Sequence, residues 1–218
     1  MFFPTLEGQP FSSATGKIVC VGRNYAEHAK ELNNPVPSAP ILFIKPADAA
    51  VAMSPVFTVP ADRGSVHHEL EIAILIGERL SAASEEDVAR AVAGVGLGLD
   101  LTLRDVQAGL KDKGHPWEIA KAFDGACPLS EFVSPMAVSD WGDIELQLQR
   151  NGQLQQQGNS GDMLFPVLPL IAHMSSIFTL NPGDIIMTGT PAGVGPLQSG
   201  DELQASLADW LVVNCRVA

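Results

Sequence analysis

One stretch constrains this chain more than any other: Val66–Gly77, which reads VHHELEIAILIG. Its length, its β-branched content and its closing glycine predict a strand over Glu69–Gly77. Side chains alternate across a strand. Leu70, Ile72, Ile74 and Ile76 therefore leave one face, and Glu69, Glu71, Ala73 and Leu75 the other. Apart from the glutamates both faces are apolar, as in a strand covered by protein on two sides. Two carboxylates buried side by side repel each other and lose hydration, so they require a cation or a proton. The alternative is an edge strand that keeps both glutamates wet.

Asp100 poses the same problem. It sits in LGLDLTLRD, flanked by apolar residues and glycine, where a charge is seldom buried unpaired. Arg104 could neutralise it locally. Joined to Glu69 and Glu71, it would instead complete an all-oxygen site of three carboxylates. Hard oxygen ligands select Mg2+ or Mn2+, and three of them leave positions open for water or substrate.

Around these acids the chain is cut into short pieces by 20 Gly and 16 Pro among 218 residues. Short strands are predicted at KIVCV after Gly16, at ILFIKP from Ile41, over Gly94–Leu103 and over Ile144–Arg150. DIIMTG, ELQASL and WLVVNCRV follow in the tail. Asn151-Gly152 makes a two-residue hairpin turn. Helices are predicted over Asn24–Leu32 with Asn24 as N-cap, over Ser84–Ala93 with a Ser cap and acidic first turn, and over Met163–Phe178; a turn or helix starts at Arg104. Strands outnumber helices without sustained βαβ alternation, which predicts an α+β, mostly-β fold. No linker or internal repeat divides residues 1–218, and the length suits one domain with one core.

Several function classes are excluded. The net charge is −12 and no basic run exists, against a nucleic acid or anionic membrane partner. No apolar run approaches the roughly 18–20 residues of a membrane helix, and MFFPTLEGQP lacks the basic start of a secretory signal. Cys20, Cys127 and Cys215 are odd in number and far apart, which argues for a reducing, cytoplasmic setting without a zinc ribbon or disulfide framework. GVGLG opens no helix, TGTPAGVGP is followed by no Gly-Lys-Ser/Thr, and no Gly-x-Ser-x-Gly elbow occurs.

Three further features bear on chemistry. His28 and Glu31 share a helix face, so the carboxylate can orient the imidazole as a base; a solvated surface pair is the alternative. The NNPVPSAP loop beside them, Asn33–Pro40, suggests a lid over residues 23–40. Lys121 sits in WEIAKAFDGACPLS, a segment otherwise almost without positive charge, either as a site residue or as a snorkelling surface lysine. The amides around Thr190 in TGTPAGVGP suit an anionic group.

In order, GRNYAEHAKEL, FIKP, HHELE, LDLTLRDVQ, PWEIAKAFDGACPLS and GDIIMTGTPAGVGP give the chain a resemblance to the fumarylacetoacetate hydrolase family from about Lys17 to its end. LDLTLRDVQ with the PWEIAKAFDG segment is similar to the branch of acylpyruvate hydrolases and oxaloacetate decarboxylases; the isomerase branch more often has Asn-Asp-Val-Ser where this chain has LDLTLRD. The resemblance implies a mixed β-roll with a short N-terminal lid helix, a homodimer, and Mg2+ or Mn2+ on Glu69, Glu71 and Asp100. It implies catalytic roles for His28, Glu31 and Lys121, and substrate contacts at Arg23, Lys45, Gln107 and Thr190, with Phe43 beside Lys45. Leu97-Gly98-Leu99 departs from the family, where an aromatic is common upstream of the aspartate. The implied activity is metal-dependent C–C bond cleavage of a small 2-oxo acid, by 3-acylpyruvate hydrolysis or oxaloacetate decarboxylation through a pyruvate enolate at the metal. Two alternatives stay open. One is double-bond isomerisation or keto–enol tautomerisation of hydroxymuconate-type or oxaloacetate substrates. The other is a non-catalytic metal-binding protein, for which a His–Glu base would be superfluous.

Overall fold

The computed structural model describes residues 1–32 and 34–218; Asn33, the first residue of the NNPVPSAP loop, lies outside them. Along the chain run β1 (Ile18–Gly22), α1 (Ala26–Glu31), β2 (Ile41–Lys45), β3 (Val66–His68), β4 (Leu70–Ile76), α2 (Glu85–Ala91) and β5 (Val92–Leu99). Then follow α3 (Arg104–Asp112), α4 (Glu118–Lys121), β6 (Cys127–Val133), β7 (Glu145–Arg150), β8 (Gln153–Asn159), α5 (Val167–Ile177), β9 (Ile185–Met187), β10 (Glu202–Leu207) and β11 (Leu211–Val217). The architecture is mostly β with mixed sheets and few helices, as expected.

The main sheet has the order β6–β5–β4–β9–β1–β2, extended beyond β6 by the strands Thr5–Leu6 and Gln9–Pro10. β9 runs parallel to β1 and antiparallel to β4, so the sheet is mixed. β4 has neighbours on both sides and all of its residues are buried. The edge-strand alternative for the glutamates therefore falls. β5 can be rich in glycine because its neighbours leave no room: a Cβ on Gly98, opposite Glu71, would stand 2.6 Å from the Met187 sulfur.

A second sheet, β8–β7–β10–β11, is antiparallel, with the short strand Val56–Phe57 alongside β11. β11 alternates buried and exposed along its length, so one face is apolar. β7 and β10 pack that face of the sheet over β4 and β5. Leu146, Leu148, Leu203 and Ala205 join the core there, each large aliphatic contributing about 1.5–3 kcal/mol on full burial. The Asn151-Gly152 turn forms as predicted, both residues at positive φ (52° and 73°), which matches the twist of the hairpin strands.

Two predicted strands are shorter than their sequence patterns. The one over Glu69–Gly77 begins at Leu70, and the one over Gly94–Leu103 stops at Leu99 and resumes as Thr102–Leu103. Glu69 and Asp100 occupy the two interruptions, cross-linked by the Asp100 N–H donating to the Glu69 carbonyl at 2.8 Å. The predicted helix over Met163–Phe178 starts only at Val167. Pro166 keeps the residue before it out of the helical region, whereas Pro169 falls in the first turn, where no intrahelical donor is needed. Asn24 is not an N-cap: α1 is preceded by Tyr25, which has no side-chain cap. The buried Asn24 amide donates to the carbonyls of Phe165 and Thr188 and accepts from the Phe165 N–H, tying three segments together. Among the described residues, no helix is long and apolar enough to cross a membrane.

Candidate active site

Glu69, Glu71 and Asp100 converge at the end of the main sheet. Each offers an oxygen, and these oxygens lie within 4.8 Å of one another. All three residues are buried, with exposures of 5%, 1% and 1%. Glu71 accepts the Gly189 N–H at 2.7 Å. Among the described residues it has no cationic side chain within ion-pair distance. Burial, then the charges of Asp100 and Glu69, push its pKa well above the ordinary carboxylate range.

The other two acids are held by cations. Lys121, at the end of α4, donates to Glu69 Oε2 at 2.8 Å and to Asp100 Oδ2 at 2.6 Å. It is buried, which removes the snorkelling alternative. Burial alone would lower its pKa, but Asp100 and Glu69 outweigh burial and hold it above the ordinary lysine range. Arg104 pairs with Glu69, not with Asp100. For Glu69 burial acts upward, and Lys121 and Arg104 together overcome it and hold the carboxyl well below its usual range.

Lys45 is fully buried and lies outside the cavity wall. Its Nζ is 2.7 Å from Asp100 Oδ1 and donates to the carbonyls of Ala126, at 3.1 Å, and Lys121. Those carbonyls direct its hydrogens, so Asp100 Oδ1 receives no aligned hydrogen bond from the described residues. Three buried carboxylates with oxygens this close, one of them with no cation within ion-pair distance among the described residues, are a donor set that fits a hard divalent ion.

The cavity beside these acids has about 40 Å³ of room for water-sized occupants. His28, Arg23, Gln107, Thr190 and Lys121 all line it. His28 is buried on α1, with Nδ1 3.2 Å from Glu31 Oε2. Glu31 Oε1 in turn accepts the Gly193 N–H at 3.0 Å, so the pair is anchored rather than solvated at random. Phe43 packs edge-on against Trp117 and lies under the Lys121 ammonium, 5.3 Å from nitrogen to ring centroid.

The amides of TGTPAGVGP serve a different purpose from the one expected. Those of Gly189 and Gly193 are taken by Glu71 and Glu31, the chain's own carboxylates. Both glycines need their positive φ (95° and 96°), and a Cβ on Gly193 would stand 1.9 Å from the Gln155 carbonyl oxygen. The Thr190 hydroxyl donates to the Leu70 carbonyl at 2.8 Å.

Sequence reasoning missed several residues here. Arg104 and Lys111 line the cavity together with Gln107. Their spacing of i, i+3 and i+7 on α3 puts them on one helix face, a signal that could have found them. Gln156 carried no such signal within its run of glutamines. Reaching over from β8, its buried side chain accepts the Leu70 N–H and contacts His68 Nδ1 through Oε1. It donates to Thr190 Oγ1 and the Pro191 carbonyl through Nε2. It thereby fastens the loop at Thr190 to the start of β4, between Glu69 and Glu71.

The fold and the site together define a class: a β-rich enzyme fold centred on three buried carboxylates. The chain belongs to the fumarylacetoacetate hydrolase family, whose C-terminal domain signature, Fumarylacetoacetate (FAA) hydrolase C-terminal, matches residues 17–218. It is 53% identical over 199 residues to an oxaloacetate tautomerase of Escherichia coli, covering 90% of each chain. It is 45% identical over 200 residues to the mitochondrial oxaloacetate tautomerase of Bos taurus, covering 92% of this chain and 90% of that one. A fumarylpyruvate hydrolase from Pseudomonas aeruginosa, solved in complex with Mn2+ and pyruvate, superposes with a TM-score of 0.91. The two are 32% identical, with 99% of this chain and 95% of that one covered. These relatives are enzymes, two named as oxaloacetate tautomerases and one as a fumarylpyruvate hydrolase.

Proposed function

We propose that this protein is a Mg2+- or Mn2+-dependent enzyme of small 2-oxo acids whose leading reaction is keto–enol tautomerisation of a four-carbon diacid of the oxaloacetate type. The observation that carries it is the convergence of the anchored His28–Glu31 pair and Lys121 on three buried carboxylates in one small cavity. Glu69, Glu71 and Asp100 would hold the cation, which when bound supplies Lewis acidity at the 2-keto oxygen. His28, with Nδ1 engaged by Glu31, has Nε2 free to take a proton from C3 or return it there. Lys121 stabilises negative charge at the 2-oxygen. Gln107 orients the 2-oxo acid head. Lys45, implied by the family resemblance as a substrate contact, acts instead by fixing Asp100.

Cleavage of the C3–C4 bond, by 3-acylpyruvate hydrolysis or oxaloacetate decarboxylation, is the second reading. The Pseudomonas aeruginosa fumarylpyruvate hydrolase favours keeping it. The two curated relatives, both oxaloacetate tautomerases, move tautomerisation ahead of the cleavage that the sequence motifs suggested first. Both chemistries develop charge on the same oxygen, so one site suits either. The protein acts as the homodimer the family resemblance implies, which light scattering tests.

Three assays on one preparation decide between the readings: enol-oxaloacetate ketonisation followed by absorbance, pyruvate release from acetylpyruvate, and pyruvate release from oxaloacetate. Ketonisation should be the fastest and should vanish with EDTA. Fast pyruvate release without ketonisation would make cleavage the function, and silence in all three would leave a binding protein. Lys121→Met, which keeps the stem and removes the charge, should lower kcat for the leading reaction by about 10² or more. Glu69 and Asp100 each retain another cation in that variant, Arg104 and Lys45 respectively, so its melting temperature checks that the fold survives.

A further inference from the structure

The cavity holds a second group of like charges, away from the carboxylates' own partners. Arg23 follows β1 at φ 60°, a left-handed backbone that residues with a β-carbon seldom adopt. Lys111 lies on α3, and both side chains line the cavity. Among the described residues neither has a carboxylate within ion-pair distance. That is unexpected in a chain with 25 acidic and 13 basic residues. Lys111 Nζ instead donates to the neutral Asn34 side chain at 2.9 Å. Its pKa lies below the ordinary lysine value through burial, and then through the charges of Arg23 and Arg104. Half-buried cations that repel one another favour an anion arriving between them.

The charges of the site indicate which anion. With a cation bound, Glu69, Glu71 and Asp100 would carry three negative charges, and Lys45, Lys121 and Arg104, paired with Glu69 and Asp100, carry three positive ones. A divalent cation is then matched by the two negative charges that a 2-oxo acid offers at its carboxylate and its ionised 2-oxygen. Arg23 and Lys111 are left over. We propose that Arg23 and Lys111 form a subsite for a distal carboxylate, and that they select 2-oxo diacids over 2-oxo acids whose far end is a neutral acyl group. Asn34 holds the Lys111 ammonium in register for that carboxylate. The inference rests on the 2-oxo acid reading and adds the feature that chooses among such acids.

The test uses two unreactive ligands with the same 2-hydroxy acid head, L-malate and L-lactate, only the first of which has a distal carboxylate. Their dissociation constants are measured by calorimetry on the Mn2+-loaded protein. Wild type should bind malate more tightly. Lys111→Met should weaken malate by about tenfold or more, the usual scale for losing a hydrogen bond to a charged group, and leave lactate unchanged. Arg23→Met should do the same, and Lys111→Arg should restore much of the preference. An unchanged malate-to-lactate ratio in both Met variants, or an equal loss for both ligands, overturns the subsite. A shifted ratio in a protein that turns over none of the three 2-oxo acid assays would keep the subsite and remove the proposed activity instead.

Discussion

Glu71→Gln should abolish metal-dependent turnover while leaving the metal-free protein at least as stable as wild type. Among the described residues Glu71 is the site carboxylate without a cationic partner, and its pKa is raised by burial and by its two acidic neighbours. Gln keeps a carbonyl oxygen for the Gly189 N–H and replaces a carboxyl that the metal-free fold keeps protonated by a side chain that is always neutral. A direct ligand should matter more than outer partners, whose loss typically costs 10–100-fold in metal affinity. Calorimetry should therefore show Mn2+ binding weakened by more than about 10², and the rise in melting temperature on adding Mn2+ should disappear. The pH dependence has a definite sign. Above the ordinary value of 4.5 an unfolded chain has released this proton, while the folded metal-free chain still holds it. Folding stability of chelator-treated wild type therefore falls as pH rises from 4.5 towards the raised folded value, and the Gln variant should lose that decline. Asp100→Asn is the instructive contrast. It leaves Lys45 fully buried with no carboxylate beside it, and breaking a buried pair in this way costs about 3–5 kcal/mol. Equal stability losses in the two variants would contradict this division of roles.

His28→Ala should separate the reactions whose slow step needs a positioned proton from the one whose slow step does not. Ketonisation returns a proton to C3, and acylpyruvate hydrolysis needs an activated water. Loss of CO2 from oxaloacetate breaks its C–C bond without either, and the enolate left behind can take its C3 proton afterwards from water. The first two should fall by about 10²–10⁴, the range of general acid–base catalysis, and decarboxylation by less than about tenfold. Only rate ratios carry the argument, because a small cavity that opens and closes affects all three rates together. If all three activities fall by one factor, His28 closes the site and moves no proton selectively.

The site was legible in part because some of its physics is local. β4 announces itself by apolar residues on both faces, and the glutamates within it and just before it, Glu71 and Glu69, can be recognised as a conflict without any knowledge of the fold. The capping box of α2, with Ser84 and Asp87 bonded reciprocally, and the Asn151-Gly152 turn depend on residues within a few positions of each other. His28 and Glu31 meet because one helical turn brings them together. The interruption of two strands at Glu69 and Asp100 was not legible, since it arises only when those strands lie side by side and exchange the Asp100–Glu69 hydrogen bond.

The sequence by itself determined which elements form and which acids have to be buried, because periodicity, turn chemistry and burial of apolar faces act over a few residues. Tertiary structure alone decided who neutralises whom. Arg104 was the obvious local partner of Asp100 and went to Glu69, 35 positions away, while Lys45 came from another strand to hold Asp100. Gln156 crossed from the second sheet to a residue 86 positions earlier, and Lys111 met Asn34 across the cavity. Such contacts join side chains whose spacing along the chain carries no signal. They exist because sheet register and loop path leave a particular donor facing a particular buried charge, and burying that charge unpaired would cost more than closing the loop between them.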